Sequence, residues 1–366
     1  MSDAKKLGRT FRLRVRTVTP LHIGTDSILL RDYDYRTMGK ETFVLNQDEI
    51  LAREYERTGQ APMKPAGQYA NERDLDDSKF VRYRLSGATT LDQIHEQIKD
   101  AYGNVYLPGS TLKGALRTVI LVQAMSAGRL TGITIGERAK TAAQPFERAL
   151  FRPSQDDANH DLLRALQISD SKPIDVRNKP LLLQHVRVIT DDAASIPIAV
   201  EAIPRLVTFE VTMYLDDYLI KDKAKELGWQ SSAAMLEQLP TLANEWADRQ
   251  IARELKLAKE KGWGKAAEVY SKIQARPRSP GVFLLQIGWG TGWESKTLGT
   301  LLPDAQLRQA RGRFELGKPP RWHGHGQWKP DFDKPFPKGH RLTVEENKNS
   351  PPQEPLGWVL LEMKQT

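Results

Sequence analysis

Phe11-Arg12-Leu13-Arg14-Val15-Arg16 puts an apolar residue at every second position and an arginine between them. A period of two is that of a β-strand, so the stretch predicts a strand with one buried face and one arginine face. Thr19-Pro20 ends it, because proline has no amide donor for a sheet ladder. Further strands are predicted at 105–107, 166–168, 181–189, 205–214, 282–287 and 356–363, all rich in Val, Ile and Leu. Between them, Pro108-Gly109 turns into an amphipathic helix from Ser110 to Ala127, stopped by Gly128, and residues 220–261 read as helical. The mixture predicts an α+β fold in two layers. Residues 1–215 form one expected domain, with a polar insertion at about 32–100 that holds mobile loops and a short helix near 91–100. Residues 216–366 form the second, with a helical insertion and a Pro-rich loop, since 319–355 carries eight of the 22 prolines. Each half can be a ferredoxin-like unit.

The length of 366 residues fits two modest domains, and 39% hydrophobic against 27% charged residues is ordinary for a soluble globular chain. The absence of cysteine excludes disulfides, thiolate zinc sites, iron–sulfur ligation and a cysteine nucleophile. The start MSDAKKLGRT has no apolar run behind its basic residues, and no stretch is long enough to span a bilayer, so a cytoplasmic protein without a membrane partner is expected. The net charge of +8 is unevenly placed. Residues 1–40 carry +5 and residues 261–350 carry +8, around a remainder of −5. Basic ends of this kind suit a polyanionic partner. All eight tryptophans lie from Trp229 onward.

Three segments can carry chemistry. In the first, Pro108 to Arg117, Gly109 frees the turn and Ser110 or Thr111 can cap the helix, while Lys113 and Arg117 share one helix face. A helix start with free amides suits a phosphodiester backbone. The plain alternative is a capped helix with a solvated basic stripe. In the second, Ile287 to Thr297, Gly288, Gly290 and Gly292 allow close backbone approach, Trp289 and Trp293 offer stacking faces, and Lys296 follows. It approximates a phosphate-cradling loop, but Ser295 stands where the second glycine belongs, which argues against nucleotide hydrolysis. The alternative is a structural turn with both indoles in the core. In the third, Thr19 to Gly24, His22 can bond a phosphate or act as a base, and Gly24 marks a tight loop; a packed histidine is the alternative. His323-Gly324-His325 and His160-Asp161 lack the further ligands of a metal centre, and Asp156-Asp157, Asp191-Asp192 and Asp216-Asp217 have no assignable role.

In combination these pieces are specific. TPLHIG (19–24), LPGSTLKGALR (107–117), LQISDS (166–171), EAIPRLVTFEV (201–211), IGWGTGWESKTLG (287–299), FPKGHRL (336–342) and PLGWVLL (355–361) run along nearly the whole chain. The sequence resembles the RAMP superfamily of CRISPR-associated proteins, and within it the Csm-type subunits that cap the 3′-end side of the guide RNA (crRNA) in type III-A effector complexes. Two departures stand out: Thr25-Asp26 where the family loop usually has another glycine, and Gly339-His340 where Thr-Arg normally follows FPK. The resemblance implies two ferredoxin-like, RRM-related domains and a non-catalytic subunit with no cofactor or metal. It would bind crRNA beside the repeating RAMP backbone subunit and other Csm subunits, near target RNA, and support 3′-end maturation by a host nuclease. Carried over residue by residue, Gly109, Ser110, Thr111, Lys113 and Arg117 would clamp the backbone. Gly288, Gly290, Gly292 and Lys296 would form the glycine loop, and His22 and Gly24 the first turn. Trp289 and Trp293 can stack bases, and Arg12, Arg14 and Arg16 add charge. The competing readings are a metal-dependent endoribonuclease of the same superfamily, using a loop aspartate among Asp26, Asp32 and Asp34, and a protein-only scaffold whose basic faces meet acidic subunits.

Overall fold

The computed structural model describes residues 7–178, 181–190, 195, 197–318, 330–333, 336–337, 339–347 and 349–366. Among these the strands are β1 (Arg9–Thr17), β2 (Gly24–Leu30), β3 (Tyr35–Met38), β4 (Glu41–Leu45), β5 (Val81–Ser86), β6 (Gln93–Gln97), β7 (Leu166–Ile168), β8 (Leu181–Ile189), β9 (Ile198–Ala202), β10 (Thr208–Leu215), β11 (Val282–Gln286), β12 (His340–Val344) and β13 (Trp358–Gln365). The helices are α1 (Gln47–Thr58), α2 (Ala66–Tyr69), α3 (Gly109–Ser126), α4 (Gln144–Phe151), α5 (Ala233–Glu237), α6 (Leu239–Glu260), α7 (Gly264–Gln274), α8 (Gly292–Lys296) and α9 (Asp304–Arg313).

The strands form two sheets, one of five strands in the order β11-β13-β1-β10-β7, the other of eight, running β2-β6-β9-β8-β5-β4-β3 with β12 beside β8. The expected α+β architecture is present. β1 alternates as its sequence dictates: Leu13 and Val15 are fully buried while Arg12 and Arg14 are exposed. It pairs antiparallel with β10 on one side and β13 on the other, and its one apolar face joins the main core, to which Leu112, Leu116 and Val119 of α3 also belong.

The expected boundary at 215 does not separate two sheets. β11 and β13 extend the sheet of β1, β7 and β10, because the apolar face of β1 is completed on both edges. The 32–100 insertion is not loop either. It supplies β3 to β6 to the eight-stranded sheet, and its predicted helix near 91–100 is strand β6, whose Ile94 is fully buried between β2 and β9. Of the predicted strand 105–107, Val105 alone pairs, bridging Lys99 and Ile174. The helical stretch 220–261 holds α5 and α6, joined to β10 by a wide helical turn at Tyr218–Asp222.

Two of the quoted motifs lock together at the start of α3. A Cβ at Gly109 would collide with the carbonyls of Ile168 and Ser169, so only glycine lets the helix dock here. The Gly109 amide donates to Asp170 Oδ1 at 2.8 Å and the Leu107 amide to Ser171 Oγ at 2.9 Å.

A buried ionic network holds the second sheet. Glu201 on β9, with no exposed surface, accepts from Tyr83 Oη at 2.7 Å, from the Gln97 amide at 2.9 Å and from Lys99 Nζ. Burial pushes Glu201 above the usual carboxylate range against the pull of Lys99. Removing the cation alone strands a buried carboxylate, a loss of about 3–5 kcal/mol. Lys99→Met should therefore lower the urea midpoint sharply, and the double change Lys99→Met with Glu201→Gln should recover part of it; a midpoint unmoved by Lys99→Met contradicts the network's role.

Candidate nucleic-acid interface

The three segments singled out in the sequence converge. A groove of about 510 Å³ is lined by Ile23, Gly24 and Asp26 at and just after the Thr19–Gly24 turn, by Ser110, Thr111 and Gly114 from α3, and by Gly288, Trp289 and Lys296 from the glycine loop. Trp246 and Gln250 of α6 and the edge strand β11 complete it.

The junction of the Thr19–Gly24 turn with the glycine loop is backbone against backbone. Gly288 has φ +79°, and a Cβ there would collide with the His22 carbonyl. The same carbonyl accepts from the Trp289 amide at 2.7 Å. Ser295 Oγ donates to Gln286 Oε1 at 2.7 Å, tying the end of the loop to β11.

The groove is lined largely by apolar side chains, with a few polar groups among them, and is not strongly basic. Among its described lining residues Lys296 is the one cation and Asp26 the one carboxylate. Lys296 has no ion-pair or hydrogen-bond partner among the described residues, and burial, with Arg341 nearby, lowers its pKa. The Ser110 and Thr111 hydroxyls are likewise without partners among the described residues, and Gln250, 3% exposed, holds an unpaired Nε2 donor. The buried Gln250 donor calls for an acceptor, and the hydroxyls and ammonium at the rim can turn to the same ligand.

Several sequence expectations change their physical role. His22 is buried, and burial lowers its pKa to about 4. Its Nδ1 lies 2.6 Å from the Glu201 carbonyl, which fixes the proton there and leaves Nε2 an acceptor, so the ring is neither a cation for phosphate nor a base exposed to solvent. Gly109 is a packing residue whose amide is already taken by Asp170. Arg117 does not line the groove. It pairs with Asp161 at 3.2 Å and Glu147 at 3.3 Å, and lies 4.2 Å from the Phe151 ring centroid. Lys113 stays without an ion pair among the described residues, its pKa lowered by burial. Trp289 stands edge-on to His22 at 5.8 Å with Arg341 over its ring, and Trp293 edge-on to Phe336 at 4.8 Å, so both indoles are partly engaged within the fold. Gly290 and Gly292 hold φ of +92° and +78°, and Gly292 opens to space.

Arg12, Arg14 and Arg16 lie on the sheet face opposite the buried Leu13 and Val15, and none of them lines the groove. Burial lowers the pKa of Arg276, and Arg16 and Arg205 add to the effect, so positive charge gathers on that face. Of the candidate aspartates, Asp34 is a turn residue, accepting from the Leu30 amide at 2.7 Å and from Gln47 Nε2. The Asp32 carbonyl accepts from the Gly67 amide at 2.7 Å. His160 bonds Asp157, and Asp217 pairs with Arg9 at 2.7 Å. His323, His325, Asp191 and Asp192 lie outside the described residues.

Beneath the glycine loop sits a charge cluster that no sequence pattern announced, because its members are 40 to 86 positions apart: Glu254 of α6, Glu294 of α8 and His340 of β12, with ligand atoms within 4.8 Å of one another. Arg253 lies 3.1 Å from Glu294 and His340 3.3 Å from Glu254, so cations of the chain already balance the carboxylates, which reads as a structural node rather than a metal centre.

A family profile of the RAMP superfamily matches residues 14–295. The chain belongs to the RAMP superfamily. This RAMP chain is 25% identical over 288 residues to the CRISPR system Cms protein Csm5 of Streptococcus thermophilus, covering 71% of the chain and 79% of that protein. It is 27% identical over 274 residues to the Csm5 of Enterococcus italicus, covering 73% of the chain and 59% of that protein. In fold it is similar to a chain of a solved Csm–crRNA–target RNA ternary complex of a type III-A CRISPR-Cas system, with TM-score 0.69 and 22% identity over 97% of this chain and 100% of that one. The crystal structure of Csm5 from T. onnurineus is also similar, with TM-score 0.65 and 22% identity over 94% and 99%. The RAMP chain is thus similar to the Csm5 proteins, and it has the α+β fold of two ferredoxin-like domains. No helix among its described residues is long and apolar enough to cross a membrane.

The node beneath the loop titrates. Burial, helped by the hydrogen bond to Glu254, raises Glu294 from 4.5 to about 7. Between those values the folded protein keeps a proton that the unfolded chain has released, so this contribution is full below pH 4.5 and is lost as the pH rises to about 7. His340 adds a loss in the same direction above 6.5: burial opposes its charge, but the bond to Glu254 outweighs that and raises its pKa. Glu254, held low by His340 against the cost of its burial, acts below 4.5 and in the opposite sense. His22, with its pKa lowered to about 4, acts in the opposite sense up to pH 6.5. The readout is therefore the Tm of the parent minus that of Glu294→Gln, which should fall by a few degrees from about pH 5 to about pH 7; a difference that does not change with pH contradicts the assignment.

Proposed function

We propose that the chain is a non-catalytic, RNA-binding structural subunit of a type III-A CRISPR ribonucleoprotein, holding the 3′-end side of the crRNA in the groove. The observation that carries this reading is the meeting of Gly24, Ser110-Thr111 and Gly288-Lys296 around unpartnered donors. Phosphate oxygens are acceptors only, and hydroxyls, an amide N–H₂ and one ammonium suit them without reading base identity. A groove with one cation gives modest affinity of its own. The arginine face of β1 adds sequence-independent attraction for RNA, steepening the salt dependence. The solved complex to which the fold is similar contains Csm subunits, crRNA and target RNA, which supports the repeating RAMP subunit, other Csm subunits and both RNAs as partners here. Holding the guide's 3′ side would also set where a host nuclease stops trimming.

One observation favours a second reading. Asp26 is exposed and lines the groove, as Ser110 does, whereas Asp32 and Asp34 do not line it and the Asp34 carboxylate is taken by the Leu30 amide and Gln47. A metal-dependent ribonuclease would need this carboxylate, yet phosphodiester cleavage asks for a metal held by several ligands or a placed acid–base pair. Asp26 is alone among the described lining residues.

Filter binding of single-stranded RNA across a salt series tests the main reading. Lys296→Ala should weaken binding several-fold and reduce the salt slope by about one, while Arg117→Ala, which breaks internal ion pairs, should leave the slope unchanged. A Lys296→Ala protein that binds like the parent sinks the groove assignment. In the same samples with Mg²⁺, RNA cleavage that disappears in Asp26→Asn would overturn the non-catalytic reading.

A further inference from the structure

A second cavity adjoins the groove. It measures about 260 Å³ and lies between α3, α4, α9 and the residues that follow the glycine loop. Two residues, Thr118 and Lys296, line both spaces, so the second opens directly beside the first. Its walls are mainly apolar, with Leu121, Phe146, Trp293 and Phe314 among them; at one edge Arg117 and Glu147, paired with each other at 3.3 Å, keep a guanidinium and a carboxylate in the lining, and Lys140 adds a cation. The Trp293 indole is held in place there: its six-membered ring lies where a Cβ of residue 299 would be, so glycine at 299 lets the ring seat.

We propose that this cavity receives one unstacked base of the RNA whose backbone lies in the groove, with Lys296 at the junction taking the phosphate that joins the two. The inference rests on the proposed RNA-binding reading. Its size argues for one ring system, being below the roughly 300–1,000 Å³ of pockets that hold larger ligands. Its chemistry argues for a base. A heteroaromatic ring wants apolar and aromatic walls for its faces and a mixed donor–acceptor edge for its polar rim, as in pockets that hold flipped bases. Charge complementarity selects the occupant further, because the exposed Lys296 at the mouth, unpaired among the described residues, favours a ligand with an anionic group next to its ring. A nucleotide unit has that form; an apolar side chain from a neighbouring protein does not.

The test is a cycle of ligand and protein changes on the full chain. A short single-stranded RNA, about six nucleotides so that it spans little more than the groove, is made with an abasic site at each position in turn. Binding is compared in the parent, in Ala142→Trp and in Ala139→Trp. Both alanines line the second cavity and neither lines the groove, and thermal melts check that each variant is folded. In the parent, one register should lose about tenfold in affinity when its base is removed, and in both tryptophan variants that penalty should vanish. Parent binding that is intact but equal for every abasic position overturns the cavity's role while leaving the groove reading in place. A penalty that persists undiminished in both variants places the base elsewhere and also overturns it. If the parent binds no RNA, both readings fall together. If the variants lose assembly with partner subunits while the abasic scan stays flat, the cavity holds a protein side chain and the inference fails.

Discussion

The groove exists because the backbone at residue 288 can lie directly against the carbonyl of His22, 266 positions earlier in the chain. Only a residue without a Cβ, in the left-handed conformation, permits that approach. The Trp289 amide then bonds the same carbonyl, so the loop after the edge strand is fixed to the turn after the central strand. Everything else at the site follows from this seam. Lys296 is carried to the groove by the short helix α8, Gln250 comes up from α6 beneath it, and the start of α3 closes the third side.

The charges divide into those that build and those that remain free. Lys99 and Glu201 hold the second sheet, and the Glu201 carbonyl orients His22 from below. Glu254, Glu294, His340 and Arg253 brace the glycine loop. Arg117 ties α3 to Glu147 and Asp161. What is left over is a small set of donors in the groove and an arginine face of β1 that does not line it, an arrangement suited to a long polyanion that touches more than one surface.

Local patterning made much of the fold legible. The alternation at 11–16, the helix from Pro108-Gly109 to Gly128 and the strand at 181–189 are set by residues close in sequence, and each stands where its pattern put it. The 32–100 region was not legible, because its strands are short and half-exposed and become strands only through pairing with β8 and β9. The shared sheet across residue 215 was hidden for the same reason, since pairing of β1 with β13 joins the two ends of the chain. At the site, the glycines and Lys296 could be read from type and spacing. The commitments of His22, Gly109 and Arg117 could not, because Glu201, Asp170 and Asp161 are brought to them by tertiary structure.

The most direct test of the groove is photo-crosslinking of single-stranded RNA to the full chain, followed by mapping of the crosslinked peptides. The account predicts adducts in 22–26, 110–118 and 286–296 together, since these three segments share one surface. Adducts confined to Arg12–Arg16 and its neighbours on the outer sheet face, with none in the three segments, would contradict it.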